Sequence, residues 1–181
     1  LGGEVHFASR VTDLMMRGKT VCGVIVNSEQ EHMAANVILA TGHSARDIYE
    51  LLHQKHIRIE TKPFAMGLRI EHAQGLIDQM QYHQGTRSRH LPAASYKMVA
   101  QVDGRGVFSF CMCPGGLIVP AATAPGEIIV NGMSLSGRDS AFANAGMVVS
   151  VERDDVRRRH GSGPLAGLRY QRDTEARIFA A

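Results

Sequence analysis

Cys111-Met112-Cys113 sets two thiols two residues apart, just before the turn sequence Pro114-Gly115-Gly116. Alternate side chains of a strand share a face, so this spacing predicts both thiols on one side of a sheet. A structural zinc site needs four ligands. The third cysteine, Cys22, is distant in sequence, and the nine histidines show no H-E-x-x-H spacing, so no metal is expected. The plainer use of the pair is as small apolar groups in a core. The chemical use is a redox or substrate-facing role for Cys113, which requires a lowered thiol pKa. Cys113 is therefore a catalytic candidate, and a flavin-independent thiol-redox protein using Cys111 and Cys113 is one reading of the chain.

Two arginines are the other catalytic candidates. Arg69 ends the run Met66-Gly67-Leu68-Arg69, and Arg138 sits in a stretch running from Asn131-Gly132-Met133-Ser134 to Gly146. A guanidinium grips a carboxylate through two parallel hydrogen bonds, so either could hold an anionic substrate group. Residues 131–146 read as a long loop of small and polar residues, able to bring backbone close to a ligand or simply to connect two strands. Asn36-Val37-Ile38-Leu39-Ala40-Thr41-Gly42-His43 poses the same choice. It reads as a strand buried on both faces that ends in small residues, either for a tight turn or for a ligand lying on the backbone.

Other motifs carry less. The histidines, among them His6, His43, His53, His56 and His72, are scattered and read as surface or hydrogen-bonded side chains. G-x-S-x-G and Walker loops are absent from the sequence. The glycines between Gly161 and Gly167 are spaced one residue too long for a dinucleotide loop and enclose Pro164. They read as a loop capping the last helix.

The elements that must position these residues can be read along the chain. Glu4–Ala8, Val11–Met15 and Thr20–Val26 have strand patterns, with turns at residues 17–19 and 27–31. Close strands with short turns predict an antiparallel meander. A helix follows, with Ser44 as cap, Asp47 in capping-box position, and Ile48, Leu51 and Leu52 at helical spacing. Phe64–Ile70 reads as strand and Gln74–Tyr82 as a short helix with Leu76, Ile77 and Met80 on one face. Further strands are predicted at Tyr96–Val102, Val107–Cys113, Leu117–Val119, Ile128–Asn131 and Met147–Glu152, and a last helix over Leu165–Phe179. The expected class is α+β: a three-stranded meander joined to a larger β-rich part with a few helices. The expected division falls between residues 1–43 and 44–181.

Composition excludes several classes. The 181 residues carry 20 basic and 17 acidic side chains, a net charge of +3. That balance does not call for nucleic acid, and the basic run Arg157-Arg158-Arg159-His160 is offset by Asp154-Asp155. No apolar run reaches the about 20 residues that cross a bilayer, and no signal peptide is legible. Sparse, odd cysteines fit a reduced, cytoplasmic setting. The first residue is Leu1 rather than Met, and both ends read as cut, so a segment of a longer chain is expected.

The segments ANVILATGHSARD, KPFAMGLRIEH, FSFCMCPGGLIVPA, IIVNGMSLSGRDSAFANAG and GPLAGLRYQ, in this order, resemble a family of bacterial FAD-dependent dehydrogenases with a glutathione-reductase-like FAD domain. The resemblance covers nearly the whole chain and fits the central part of such proteins. It implies that the meander and the Ala40-Thr41-Gly42 strand belong to an α/β FAD-binding domain, with Thr41 and Gly42 passing close to the cofactor. Val11, after Arg10, would meet the adenine. Residues from 44 onward would be an inserted substrate domain. Gly115, Gly116, Asn131, Gly132 and Met133 would face the flavin ring or substrate, with FAD, and NAD(P) as a further redox partner. The G-x-G-x-x-G and G-D segments of such proteins have no counterpart in these residues. The chain alone is therefore expected to bind FAD weakly or not at all, its partners being a small-molecule substrate and the remaining segments of the same protein. A non-catalytic substrate-capture or interaction domain derived from the flavoprotein is the other alternative.

Overall fold

The computed structural model describes residues 2–42, 44–122 and 124–181. The chain forms two compact units, Leu1–Ile59 and Glu60–Ala181.

In the first unit β1 (Val11–Arg17), β2 (Thr20–Val26) and β3 (Gln30–Met33) form the antiparallel meander in the order β1-β2-β3. Val21, Val24, Ile25 and Val26 supply the β-branched side chains that suit a pleated surface. Gly18, at φ +61°, allows the β1–β2 turn. Asn27 clips the start of the sheet: its Oδ1 accepts from the Arg10 amide at 3.0 Å, and its Nδ2 donates to the Ala8 carbonyl at 3.1 Å. Helix α1 (Arg46–Gln54) follows. Arg10 pairs with Asp47 at 2.7 Å, and Lys55 with Asp13 at 2.8 Å.

Three expectations for this unit are corrected. Glu4–Ala8 forms no strand, and Ala8 takes a left-handed φ of +52° instead. Residues 36–42 are neither strand nor buried, and Ile38 is 91% exposed. A strand gains stability only from neighbours that take its hydrogen bonds and cover its faces. Among the described residues β3 ends the sheet, and no strand lies beside 36–42. The cap of α1 is Ala45 rather than Ser44; its methyl group can make no capping hydrogen bond, and the Asp47 carboxylate pairs with Arg10. His43 lies outside the described residues.

The second unit is built on a four-stranded antiparallel sheet ordered β4-β9-β6-β5, from β4 (Phe64–Ala73), β5 (Val99–Val102), β6 (Arg105–Cys113) and β9 (Phe142–Val151). β7 (Gly116–Pro120) and β8 (Val130–Ser134) form a separate hairpin pair. Helix α2 (Gln74–Tyr82) follows β4 directly, and α3 (Arg153–His160) and α4 (Ala166–Phe179) follow β9. One core gathers Ile77, Ala94 and Ala143 with Tyr82, Tyr96 and Met112; the other gathers Val151, Val156 and Ala166 with Phe64, Met66 and Tyr170.

The expected long loop at residues 131–146 is largely strand. β8 runs to Ser134 and β9 starts at Phe142, so only residues 135–141 connect them. The small residues there serve packing: Ala143, Asn144 and Ala145 are fully buried in the central strand. On α2, Ile77 is buried but Leu76 and Met80 are exposed, so the inward face is built from Gln74, Ile77 and Asp78 instead. Helix α3 occupies the charged run read as a solvated face. It is started by a capping box between Glu152 and Asp155, and Arg105 grips the Asp155 carboxylate with two hydrogen bonds of 2.6 and 2.7 Å.

Candidate functional site

Strand register assembles the site. Arg69 of β4 and Phe110 of β6 both pair with Gly146 of β9, and Cys113 pairs with Asn144. Directly paired residues share a face, and Asn144 and Gly146 are two apart, so these side chains gather on one side of the sheet. Arg69 Nη1 donates to Asn144 Oδ1 at 2.6 Å and to the Cys111 carbonyl at 3.1 Å. The Asn144 side chain is 0% exposed, and its Nδ2 has no hydrogen-bond partner. Gly132 of β8 packs onto the same group: a Cβ there would stand 2.1 Å from Arg69 Nη1, 2.3 Å from Asn144 Oδ1 and 2.7 Å from Cys113 Sγ.

The thiols differ in exposure. A bulge falls between Phe110 and Cys113, and Cys111 takes a left-handed φ of +45°. The extra residue interrupts the ladder, yet the two thiols stay close enough for Cys111 to act on the Cys113 thiol. Cys111 is exposed and Cys113 buried. Burial first, then the neighbouring Cys111, pushes the Cys113 thiol up, and Arg69 only partly opposes the shift. This is the direction away from a reactive thiolate.

Beside this cluster a cavity of about 480 Å³ opens over the sheet. Gly67 and Gly146 line it on the strands, Ile128, Ile129, Val130 and Phe110 form apolar sides with Asn131 beside them, Arg69 is the lining cation, and Gln171, Glu175 and Ile178 come from α4. Gln171 Nε2 donates to Glu175 Oε1 at 2.8 Å. Leu68, Ile70, Phe110, Ile128, Val130 and Ile178 around the opening are all exposed, an apolar patch of the kind that marks binding surfaces.

Pro114-Gly115-Gly116 forms a turn anchored from α2. Gln74 Oε1 accepts from the Gly115 amide at 2.7 Å, while its Nε2 donates to Asp78 Oδ1 at 2.8 Å and to the Ala94 carbonyl at 3.0 Å. Gly115 has φ +52°, and a Cβ there would stand 1.9 Å from the Arg138 carbonyl oxygen; at Gly116 it would stand 2.5 Å from the Met133 carbonyl oxygen. The protein's own backbone therefore fills the space that these glycines leave. At Gly42, φ +77°, nothing lies within 4 Å of such a Cβ, so the backbone there is open to a group approaching from outside.

The structure thus brings together Arg69, Cys113, Gly132 and Asn131, with Gly115, Gly116 and Met133 adjoining through the turn and hairpin. Arg138 lines a different concavity. Val11, on β1, and Ala40, Thr41 and Gly42, in the exposed segment, belong to the first unit. Sequence reasoning missed Asn144 and Gln74; an amide flanked by alanines in Ala143-Asn144-Ala145 was the available signal, since a polar residue in a run of small ones asks for a buried partner. His72, read as a surface or hydrogen-bonded side chain, has its Nε2 3.0 Å from the Tyr96 hydroxyl, and burial pushes the Tyr96 phenol up. Among the described residues no group of His, Cys, Asp or Glu is placed to hold a metal ion, and no helix is long and apolar enough to cross a membrane.

An uncharacterized protein of Clostridium beijerinckii is 41% identical over 181 residues, covering 99% of this chain and 33% of that protein. The chain spans about a third of the length of that relative. Residues 63–181, nearly all of the second unit and with it Arg69, Cys113, Asn144 and the cavity, match the family described as FAD-dependent protein, C-terminal domain-like. The chain belongs to that family of FAD-dependent proteins.

Proposed function

We propose that the chain is part of an FAD-dependent oxidoreductase that passes a hydride between a small molecule and the flavin, and that the second unit supplies the substrate site. One observation carries this reading: an apolar, uncovered cavity whose lining includes a guanidinium already fixed by Asn144 and the Cys111 carbonyl. A guanidinium held in place loses little freedom when it takes a carboxylate, which is how a positioning group gains affinity. Arg69 would hold the anionic end of the substrate. The Gln171–Glu175 pair would take a hydrogen-bond donor, and Phe110, Ile128, Ile129 and Val130 would keep water from the apolar part. Gly67 and Gly146 leave the floor free of side chains.

FAD membership and the open backbone at Gly42 support a cofactor contact at Ala40-Thr41-Gly42, with Val11 near the adenine; in the second unit Asn131 and Met133 are left for the substrate side, since the space at Gly115, Gly116 and Gly132 is filled from within. When bound, the flavin supplies the hydride acceptor or donor. In this reading residues 1–43 belong with the FAD-binding domain and 44–181 with the substrate domain of a longer cytoplasmic protein, whose other segments complete the cofactor site. Nothing in the family match supports NAD(P).

The test is anaerobic flavin reduction in the whole protein, over a panel of small hydroxy and amino acids. Arg69→Gln is expected to raise KM about tenfold or more while flavin content stays unchanged. Unchanged kinetics would remove Arg69 from the site. Whole protein that carries no flavin would leave the cavity as that of a non-catalytic capture domain.

A further inference from the structure

A second concavity, of about 570 Å³, lies in the second unit between the α2–β5 connection and the β8–β9 turn. Arg87, Arg89 and Arg138 line it, with Ser134 and Ser136, and none of its described lining residues is acidic. One charge is spoken for: Arg87 pairs with Asp78 at 3.2 Å, and Asp78 is itself held by the Gln74 side chain and the Ala94 amide. Three guanidinium charges, less the Asp78 carboxylate and the Asp139 carboxylate at the cleft margin, leave a net positive charge at the cleft. Asp139, next to Arg138, keeps its carboxylate beside Gly137. The Ser134 hydroxyl donates to the Pro114 carbonyl at 2.8 Å, so Ser136 is the lining hydroxyl with a proton to offer.

Arg87 is the cation held by a carboxylate, while the Arg89 and Arg138 side chains are exposed at the cleft. Asp78 fixes the Arg87 fork. Arg89 Nε donates to His90 Nε2 at 3.3 Å, which leaves its two terminal amino groups for other acceptors. Arg138 holds a left-handed φ of +48° without being glycine, its amide donates to the Leu135 carbonyl at 3.0 Å, and its own carbonyl presses on Gly115. Such backbone strain in a non-glycine residue persists where surroundings over-determine it, and it concentrates at ligand clamps. Guanidinium groups are weakly hydrated and match phosphate oxygens two at a time.

We propose that this cleft binds a small dianion of the phosphate class, held by Arg89 and Arg138 with Arg87 and Ser136 in support. It is a site distinct from the Arg69 cavity and does not depend on the redox reading. The phosphate belongs either to a free phosphorylated small molecule or to a bound cofactor.

The whole protein would be titrated calorimetrically with inorganic phosphate, pyrophosphate and succinate at fixed ionic strength. Saturable binding is expected for the two phosphates, about tenfold tighter than for succinate, and weakened about tenfold or more by Arg89→Gln and by Arg138→Gln. Both side chains are exposed, so both variants should melt like the parent. Arg157→Gln, on exposed α3, removes the same charge away from the cleft and should leave the affinity within about twofold. Phosphate binding that persists in flavin-loaded protein assigns a free ligand; binding seen only after flavin is stripped assigns the cofactor's phosphates. Absence of saturable binding, or equal weakening by all three variants, would overturn the proposal.

Discussion

Arg69 Nη1 donates to Asn144 Oδ1 at 2.6 Å, from a β4 side chain that reaches the cavity to a β9 side chain with no exposed surface. The pair ties the cation of the proposed substrate site to the central strand of the sheet. Asn144→Ala removes the acceptor, leaves a void at full burial and frees the guanidinium. It is expected to destabilise by about 2 kcal/mol, seen as a lower melting temperature, and to raise KM in parallel with Arg69→Gln. A variant that melts like the parent would show that the amide is not a structural brace.

Gly67 and Gly75 should respond in opposite directions to the same methyl group. At Gly67, paired with Val148, a Cβ would stand 1.8 Å from the Met147 carbonyl oxygen, so Gly67→Ala must push β4 off β9. A loss of about 3 kcal/mol or more, or failure to accumulate as soluble protein, is expected. At Gly75, inside α2, a Cβ meets nothing within 4 Å, and Gly75→Ala should stabilise by about 0.5–1 kcal/mol. Thermal melts of the two variants test both signs.

Asp155 gives the fold an acid-sensitive joint. Arg105 holds its carboxyl well below the usual carboxylate range, helped by the Glu152 amide and by Arg158. The folded pKa is lower than the unfolded one, so the stabilisation is complete above the unfolded value of about 3.9 and fades as pH falls toward the folded value. Asp155→Asn should lower the melting temperature at pH 7, and its gap from the parent should close as pH drops below about 4. A gap that stays constant down to pH 2 would contradict the ion-pair account.

The two cysteines should differ in reactivity. Cys111 is exposed, while Cys113 is buried with its thiol pushed up. Iodoacetamide at pH 8 should label Cys111 first, as read by peptide mass. Cys113→Ala should leave flavin reduction intact. Preferential labelling of Cys113, or loss of turnover in that variant, would restore the thiol chemistry that the spacing first suggested.

What the sequence determined by itself was local. Strand patterns punctuated by Gly18 and Asn27 specify β1 and β2, because those signals lie within a few residues of the structure they encode, whereas β3 begins at Gln30 inside the expected turn. The presence of α1, α2 and the last helix was legible in the same way, though not the buried face of α2, and Arg69 and Cys113 stood out by residue type. Tertiary structure alone decided the rest. β9 comes last of the strands yet inserts between β4 and β6, so the small residues Ala143 to Gly146 become the centre of a sheet rather than a loop. The bulge at Cys111 leaves one thiol exposed and the other buried, and Arg69 and Arg138 line separate cavities. Residues 36–42 show the converse: an apolar run carries strand preference, but a strand exists only where a neighbour takes its hydrogen bonds, and among the described residues none does.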